Sequence, residues 1–237
     1  MKLILIITFA ITVSVIALGS QERRQDIAES PEQVSFATQD GGLIYANQYG
    51  KGDQGVVLAH GGRFNKESWD KQARVLAKAG FRVLAIDFRG RGQSRGGAQM
   101  QSRNGGVHFD VLAAIRYLHK TGAKTVSVVG ASFGGGAAAE ASVEAEPGEI
   151  DRLVLLAHSP IDRPEQIKGR KLFILSRDDV SGDEKKPRLP QIRGQYERAP
   201  DPKELLILEG SAHAQSIFET EQGEQLMREI LRFLSEP

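Results

Sequence analysis

A chain of 237 residues with 40% hydrophobic content is the size of one domain able to bury a substantial core. Its formal charge of +1 supplies no strong field to attract nucleic acid or steer an ionic substrate. It has no cysteine, which excludes disulfides, thiolate zinc sites and a cysteine nucleophile and leaves the redox compartment open.

Lys2 precedes an apolar stretch from Leu3 to Leu18 that is relieved only by Thr8, Thr12 and Ser14, and Ala17-Leu18-Gly19 places small residues before a possible cut at Ser20. This pattern predicts a secretory signal peptide over 1–19 and therefore an exported, periplasmic or secreted, protein. The alternative is an uncleaved N-terminal membrane anchor, since the run is long for a signal core and short for a spanning helix. Residues 20–33 are polar and charged and read as a linker, leaving 34–237 as the folded domain.

Two short strands open that domain, 34–38 and 43–49, joined through Asp40-Gly41-Gly42 as a hairpin. After a strand over 56–60 the pattern alternates. Helical spacing over 68–78 is followed by a buried strand over 82–88. A helix over 109–120 leads to a strand over 125–129, and a small-residue helix over 133–145 to a strand over 152–158. Strands at 171–176 and 204–208 and an amphipathic helix over 219–234 complete the chain. Nearly continuous apolar strands alternating with helices predict an α/β architecture, a mostly parallel eight-stranded sheet covered on both faces. Such sheets bind ligands at the carboxyl ends of their strands.

Candidate chemistry collects at those ends. The strand over 125–129 runs into Gly130-Ala131-Ser132-Phe133-Gly134, a Gly-x-Ser-x-Gly turn between strand and helix. A side chain on either flanking glycine would strike neighbouring backbone, so the turn thrusts the Ser132 hydroxyl outward at a helix N-terminus. Acyl transfer through serine is the chemistry this suggests. The spacing Gly130-x-x-x-Gly134-x-Gly136 also resembles a dinucleotide loop. That reading needs a position after the first strand and a Tyr-x-x-x-Lys, and none of the four tyrosines has a lysine four places on.

A serine nucleophile needs a base and an acid that orients the base. Arg177-Asp178-Asp179 follows the strand at 171–176, and Glu209-Gly210-Ser211-Ala212-His213 follows that at 204–208. His213 is the candidate base. Asp179 is favoured over Asp178 as the acid by spacing, and the two remain open. The developing oxyanion needs two donors placed in advance. These are expected to be the Phe133 N–H and, from His60-Gly61-Gly62-Arg63-Phe64, the Gly62 N–H, with Arg63 as the alternative. His60 is expected to brace that loop, the string Asp87 to Ser94 to form a turn, and His158 to be a hydrogen-bonded wall residue. His108, His119 and His158 lack metal-ligand spacing, and neither a metal nor another cofactor is expected.

Taken in order, His60-Gly61-Gly62, Asp87-x-Arg89-Gly90-x-Gly92-x-Ser94, Gly130-x-Ser132-x-Gly134, Asp179 and Gly210-Ser211-Ala212-His213 resemble the α/β-hydrolase superfamily across about residues 34–236. The resemblance implies Ser132 as nucleophile, His213 as base, Asp179 as its orienter, Gly62 and Phe133 as oxyanion donors, and no cofactor. Many relatives insert a helical cap where this chain has only Ser159 to Arg170, so an open site without a sizeable cap is expected, suited to short or exposed acyl groups. The loop 95–106 could overhang it. The expected activity is carboxylic-ester hydrolysis on a small or acylated substrate. The same parts serve thioester or peptide cleavage, ring opening of a dienelactone, perhydrolysis or acyl transfer, and a non-catalytic binding module is the alternative of another class. No nucleic-acid partner is expected, and membrane contact only through an uncleaved leader.

Overall fold

The computed structural model of the chain describes residues 30–97, 105–181 and 185–236. The expected leader over 1–19, most of the linker over 20–33 and the centre of the loop 95–106 lie outside these residues.

The strands are β1 (Glu32–Ala37), β2 (Leu43–Tyr49), β3 (Gln54–Ala59), β4 (Arg82–Ile86), β5 (Thr125–Ala131), β6 (Arg152–Leu156), β7 (Arg170–Ser176), β8 (Val180–Ser181), β9 (Lys186–Pro187) and β10 (Lys203–Leu208). The helices are α1 (Asp70–Lys78), α2 (Val107–Lys120), α3 (Phe133–Glu144), α4 (Leu189–Arg198) and α5 (Gly223–Ser235). Eight strands form one sheet in the order β1-β2-β4-β3-β5-β6-β7-β10, while β8 and β9 pair separately as a two-residue ribbon. Within the large sheet only β2 runs against its neighbours.

Sequence and burial agree along these elements. All five residues of β6 and five of the six in β3 are buried, as apolar strands covered on both faces must be. The hairpin strand β2 alternates, with Ile44 and Ala46 fully enclosed and Tyr45 and Asn47 half-buried. Trp69, Phe88, Phe173 and Phe233 are the largest apolar side chains fully enclosed in the core. Burying one such side chain is worth roughly 1.5–3 kcal/mol, which fixes the face that each helix and strand turns inward.

The connection β3–α1–β4 steps one way across the sheet, and β4–α2–β5 returns past β3 to the other side. Right-handed crossovers then place α1 on one face and α2 and α3 on the opposite one. The reversal lies between β3 and β5, the position where a parallel sheet opens a crevice at its carboxyl edge. Only a turn of 3-10 helix at Pro164–Gln166 interrupts the short connection between β6 and β7, and no cap domain is present there.

Several boundaries differ from those expected, each for a local reason. The helix expected from 68 begins as a 3-10 turn, Lys66–Trp69, because the Asn65 side chain accepts the Ser68 N–H and caps it early. β6 stops at Leu156 because Ala157 has φ +41°. The closing helix begins at Gly223, after a separate 3-10 segment Ala214–Glu219. α4 was not anticipated, since only Ile192 and Gln195 of its ten residues are buried and its apolar stripe is thin.

Candidate active site

β3 and β5 are adjacent and in register, Ala59 opposite Gly130, so the loops leaving them meet at the crevice. At the elbow Ser132 is held at φ +49° and ψ −112°, a conformation that L-residues avoid unless the surroundings impose it. The imposing contacts are visible. A Cβ on Gly130 would lie 2.6 Å from the Gly134 carbonyl oxygen, and one on Gly134 would lie 2.4 Å from that of Ala59. The Ser132 N–H donates to Leu156 O at 2.8 Å and its carbonyl accepts from Ser159 N–H at 2.9 Å, tying the turn to the end of β6.

The other two side chains arrive on the β7–β10 pair. Leu208 lies opposite Ser176 in the parallel ladder. Beyond it the two loops stay bonded: Arg177 N–H to Leu208 O at 2.8 Å, Asp178 N–H to Gly210 O at 2.9 Å and Ser176 Oγ to Ala212 O at 2.7 Å. This pairing delivers Asp179 to His213. Asp179 Oδ2 lies 2.7 Å from His213 Nδ1, and His213 Nε2 lies 2.8 Å from Ser132 Oγ. A ring nitrogen facing a carboxylate must carry the proton, so Nε2 is the lone pair that faces the serine. Asp179 is 1% exposed, and its Oδ1 lies 3.7 Å from Arg188 Nε. Asp178 is exposed, and its backbone N–H bonds Gly210 O while its carboxylate makes no hydrogen bond to a described residue. Of the two neighbouring acids, then, Asp179 is the one brought to the imidazole.

Gly61 and Phe64 close a turn through Phe64 N–H to Gly61 O at 2.9 Å, with Gly62 and Arg63 at its centre. A Cβ on Gly62 would sit 3.7 Å from that of Phe133, so this turn touches the elbow. The Gly62 and Phe133 amides donate to no described residue, which leaves two backbone donors at the rim beside Ser132. The Arg91 guanidinium bonds the Gly62 carbonyl. His60 is buried, with Nδ1 2.8 Å from Gly61 O and Nε2 accepting the Phe88 N–H at 3.4 Å. Burial holds its imidazole below the ordinary range, the Gly61 bond notwithstanding. It braces the loop, and both its nitrogens are occupied.

The string from Asp87 to Ser94 is more than the expected turn. Asp87 is fully buried and bonds the Lys66 ammonium and N–H at 2.7 and 2.8 Å. Arg89 bridges Asp110, at 2.7 and 2.9 Å, and Asp40, at 2.7 and 3.0 Å. These carboxylates hold the Arg89 guanidinium above its ordinary range although burial opposes them. Both of Asp87's oxygens are thus taken by Lys66, and neither serves His213. A second correction concerns His158. It is fully enclosed, and neither ring nitrogen has a partner within hydrogen-bond distance among the described residues, so it does not line a wall as a hydrogen-bonded residue. Desolvation lowers its pKa to about 4, with the neighbouring Gln195 amide offsetting only part. A Cβ on Gly135 would lie 2.7 Å from that of His158, so α3 packs directly against the His158 backbone and Cβ.

Lys66, Arg91, Arg188 and Gln215 border the site and were not singled out from the sequence. Lysine and arginine are common on any surface, and only their partners mark these. Among the described residues no group of three or more His, Asp or Glu could hold a metal ion, and no helix is long and apolar enough to cross a membrane.

A family model described as the alpha/beta hydrolase fold matches residues 55–198, and the chain belongs to that family. Among curated relatives it is 32% identical over 121 residues to a non-heme haloperoxidase of Rhodococcus erythropolis, covering 51% of this chain and 42% of that one. It is 33% identical over 126 residues to a bifunctional esterase/perhydrolase of Acinetobacter calcoaceticus, covering 52% and 44%. The matched stretch thus spans less than half the length of these relatives. An esterase of Pyrococcus furiosus superposes with a TM-score of 0.70 at 20% identity, over 86% of this chain and 91% of that one. An esterase of Exiguobacterium antarcticum superposes with 0.69 at 16% identity, over 86% and 100%.

Proposed function

We propose that the protein is a serine hydrolase that cleaves carboxylic esters through an acyl-enzyme. The observation that carries this reading is the unbroken line from Asp179 through His213 to Ser132, with bonds of 2.7 and 2.8 Å, beside two amides left without acceptors. Ser132 Oγ attacks the acyl carbon as His213 Nε2 takes its proton, and Asp179 stabilises the imidazolium. The carbonyl oxygen becomes negative between the Gly62 and Phe133 amides, where fixed dipoles favour the transition state over the ground state. The proton passes from His213 to the departing alcohol. Water, deprotonated by His213, then attacks the acyl carbon, releasing the acid and restoring Ser132.

The rim limits the size of the substrate. Among the described residues four large hydrophobic side chains are notably exposed, and three of them, Phe64, Phe133 and Val180, lie within two residues of Gly62, Ser132 and Asp179. Apolar side chains left uncovered around a polar centre suit a short apolar acyl group. Likeness to the bifunctional esterase/perhydrolase of Acinetobacter favours one further outcome of the same acyl-enzyme: hydrogen peroxide attacking the acyl carbon in place of water would release a peracid and restore Ser132. Export rests on the sequence of residues 2–19 and is tested by N-terminal sequencing of the mature protein.

The test is labelling by a fluorophosphonate, together with hydrolysis of p-nitrophenyl esters of graded acyl length. Labelling confined to Ser132, lost in Ser132→Ala, and turnover greatest for short acyl chains are expected. Folded protein that neither labels at Ser132 nor turns over any ester overturns the reading in favour of a non-catalytic module.

A further inference from the structure

We propose that Gln215 is a positioning residue of this site, joining the loop that carries the base to the loop that carries the amide donors and so aiming the Gly62 N–H at the developing oxyanion. The proposal rests on the ester-cleaving reading above. Gln215 stands two residues after His213, across Ala214 with its φ of +48°. It is 6% exposed. Its Oε1 accepts the Gly61 N–H at 3.1 Å and its Nε2 donates to Ser68 Oγ at 2.7 Å, while Ser68 Oγ donates to Asn65 O at 2.6 Å. Both ends of the amide are therefore spent on the segment that follows β3, and neither on its own loop.

Gly61 is the hinge between the two loops. A glycine has no side chain to fix its backbone, and here two stand in succession. Gly61 is held from both flanks instead: Gln215 takes its N–H, and His60 Nδ1 and the Phe64 N–H hold its carbonyl at 2.8 and 2.9 Å. In a trans peptide the N–H of the next residue points opposite the carbonyl, so the direction of Gly61 O sets that of the Gly62 N–H. Releasing the Gln215 end leaves Gly61 held at its carbonyl alone, and the donor's aim loosens. A buried amide costs free energy unless both ends are bonded, so an apolar side chain would fill this space at less cost if filling were all that was needed.

A donor aimed by Gln215 contributes where charge develops, so its loss should lower kcat and leave KM nearly alone. A mere fastening between loops would instead change thermal stability or KM. Full-length Gln215→Met, close in shape and unable to accept the Gly61 N–H, is expected to lose roughly 10–100-fold in kcat on p-nitrophenyl acetate. Its affinity for an alkyl boronic acid, which forms a tetrahedral anion on Ser132, should fall in step. Gln215→Glu keeps an acceptor for Gly61 and can accept a hydrogen bond from the Ser68 hydroxyl, and should recover most of the loss. If Gln215→Met does not fold, Ser68→Ala removes the anchor of Nε2 and should give a smaller kcat fall, again matched by the boronate. An active parent chain with unchanged kcat in the variant that folds, or a kcat fall without boronate weakening, overturns this proposal alone. A parent chain without Ser132 labelling or ester turnover overturns the ester-cleaving reading first, and this one with it.

Discussion

Two stretches at the carboxyl edge of the sheet become rigid by opposite means. At the elbow, residues 130–136, backbone crowds backbone: the flanking glycines stand where a Cβ would be 2.6 or 2.4 Å from a carbonyl oxygen, and a non-glycine residue is forced to φ +49°. Beyond β4, from Asp87 to Ser94, side-chain charge does the holding, through Lys66–Asp87 and the Asp40–Arg89–Asp110 bridge. The first device leaves a reactive group at the surface, and the second buries its charges. Crowding cannot relax without losing the angle at which Ser132 emerges, whereas an ion pair can be lost with the local fold weakened but the serine still pointing outward.

That contrast can be broken by mutation. The largest effect is expected at the line of side chains that the elbow completes. Asp179→Asn should lower turnover on the order of 10⁴-fold, from the general behaviour of such triads, while Asp178→Asn should stay near the parent; single-substrate kinetics on both variants decide it. Arg89→Met comes next. It takes the guanidinium away from the fully buried Asp110 carboxylate, and from Asp40 beside it, and should cost about 3–5 kcal/mol in a urea titration. Fluorophosphonate labelling per folded molecule should persist, and its loss would deny the contrast. Gly134→Ala should cost about 3 kcal/mol by overpacking, and here labelling should fall by more than the loss of folded protein explains.

The smallest effect concerns a charge that the elbow side excludes instead of pairing. His158 has its pKa at about 4 in the folded chain, below the ordinary 6.5. Between these values the unfolded chain binds a proton that the folded chain refuses, so stability is complete above about pH 6.5 and declines as pH falls toward 4. The full decline is about 3 kcal/mol. Thermal melts across that window should show the slope, and His158→Leu should flatten it.

The same contrast explains what was legible beforehand. Crowding leaves a local signature, because glycines must sit at fixed places around the serine, and the elbow can be read from five consecutive residues. The alternation of apolar strands with helices likewise marked all eight strands of the sheet and their covered faces. The charged bracket leaves no such mark. Arg89, Asp40 and Asp110 lie up to 70 residues apart, and each is an ordinary surface residue until the fold brings them together, so the string that holds Arg89 read as a turn. Gln215 is hidden for the same reason: its partners, Gly61 and Ser68, stand about 150 positions earlier. His158 was misread because its surroundings, Gly135 and Phe173, are set by packing between distant elements. The acid next to His213 was narrowed by spacing to two neighbours, and burial separates them.

β10, which leads to His213, is one of the two outermost strands of the sheet, bonded on one side only and half-exposed along most of its length. Outermost strands open at lower free energy than central ones. On the ester-cleaving reading, gentle heating or dilute urea would fray this margin first and draw the imidazole away while β3, β5 and β6 still hold the serine. Inactivation would then precede melting, and an agent gripping the last strand would silence the protein without unfolding it.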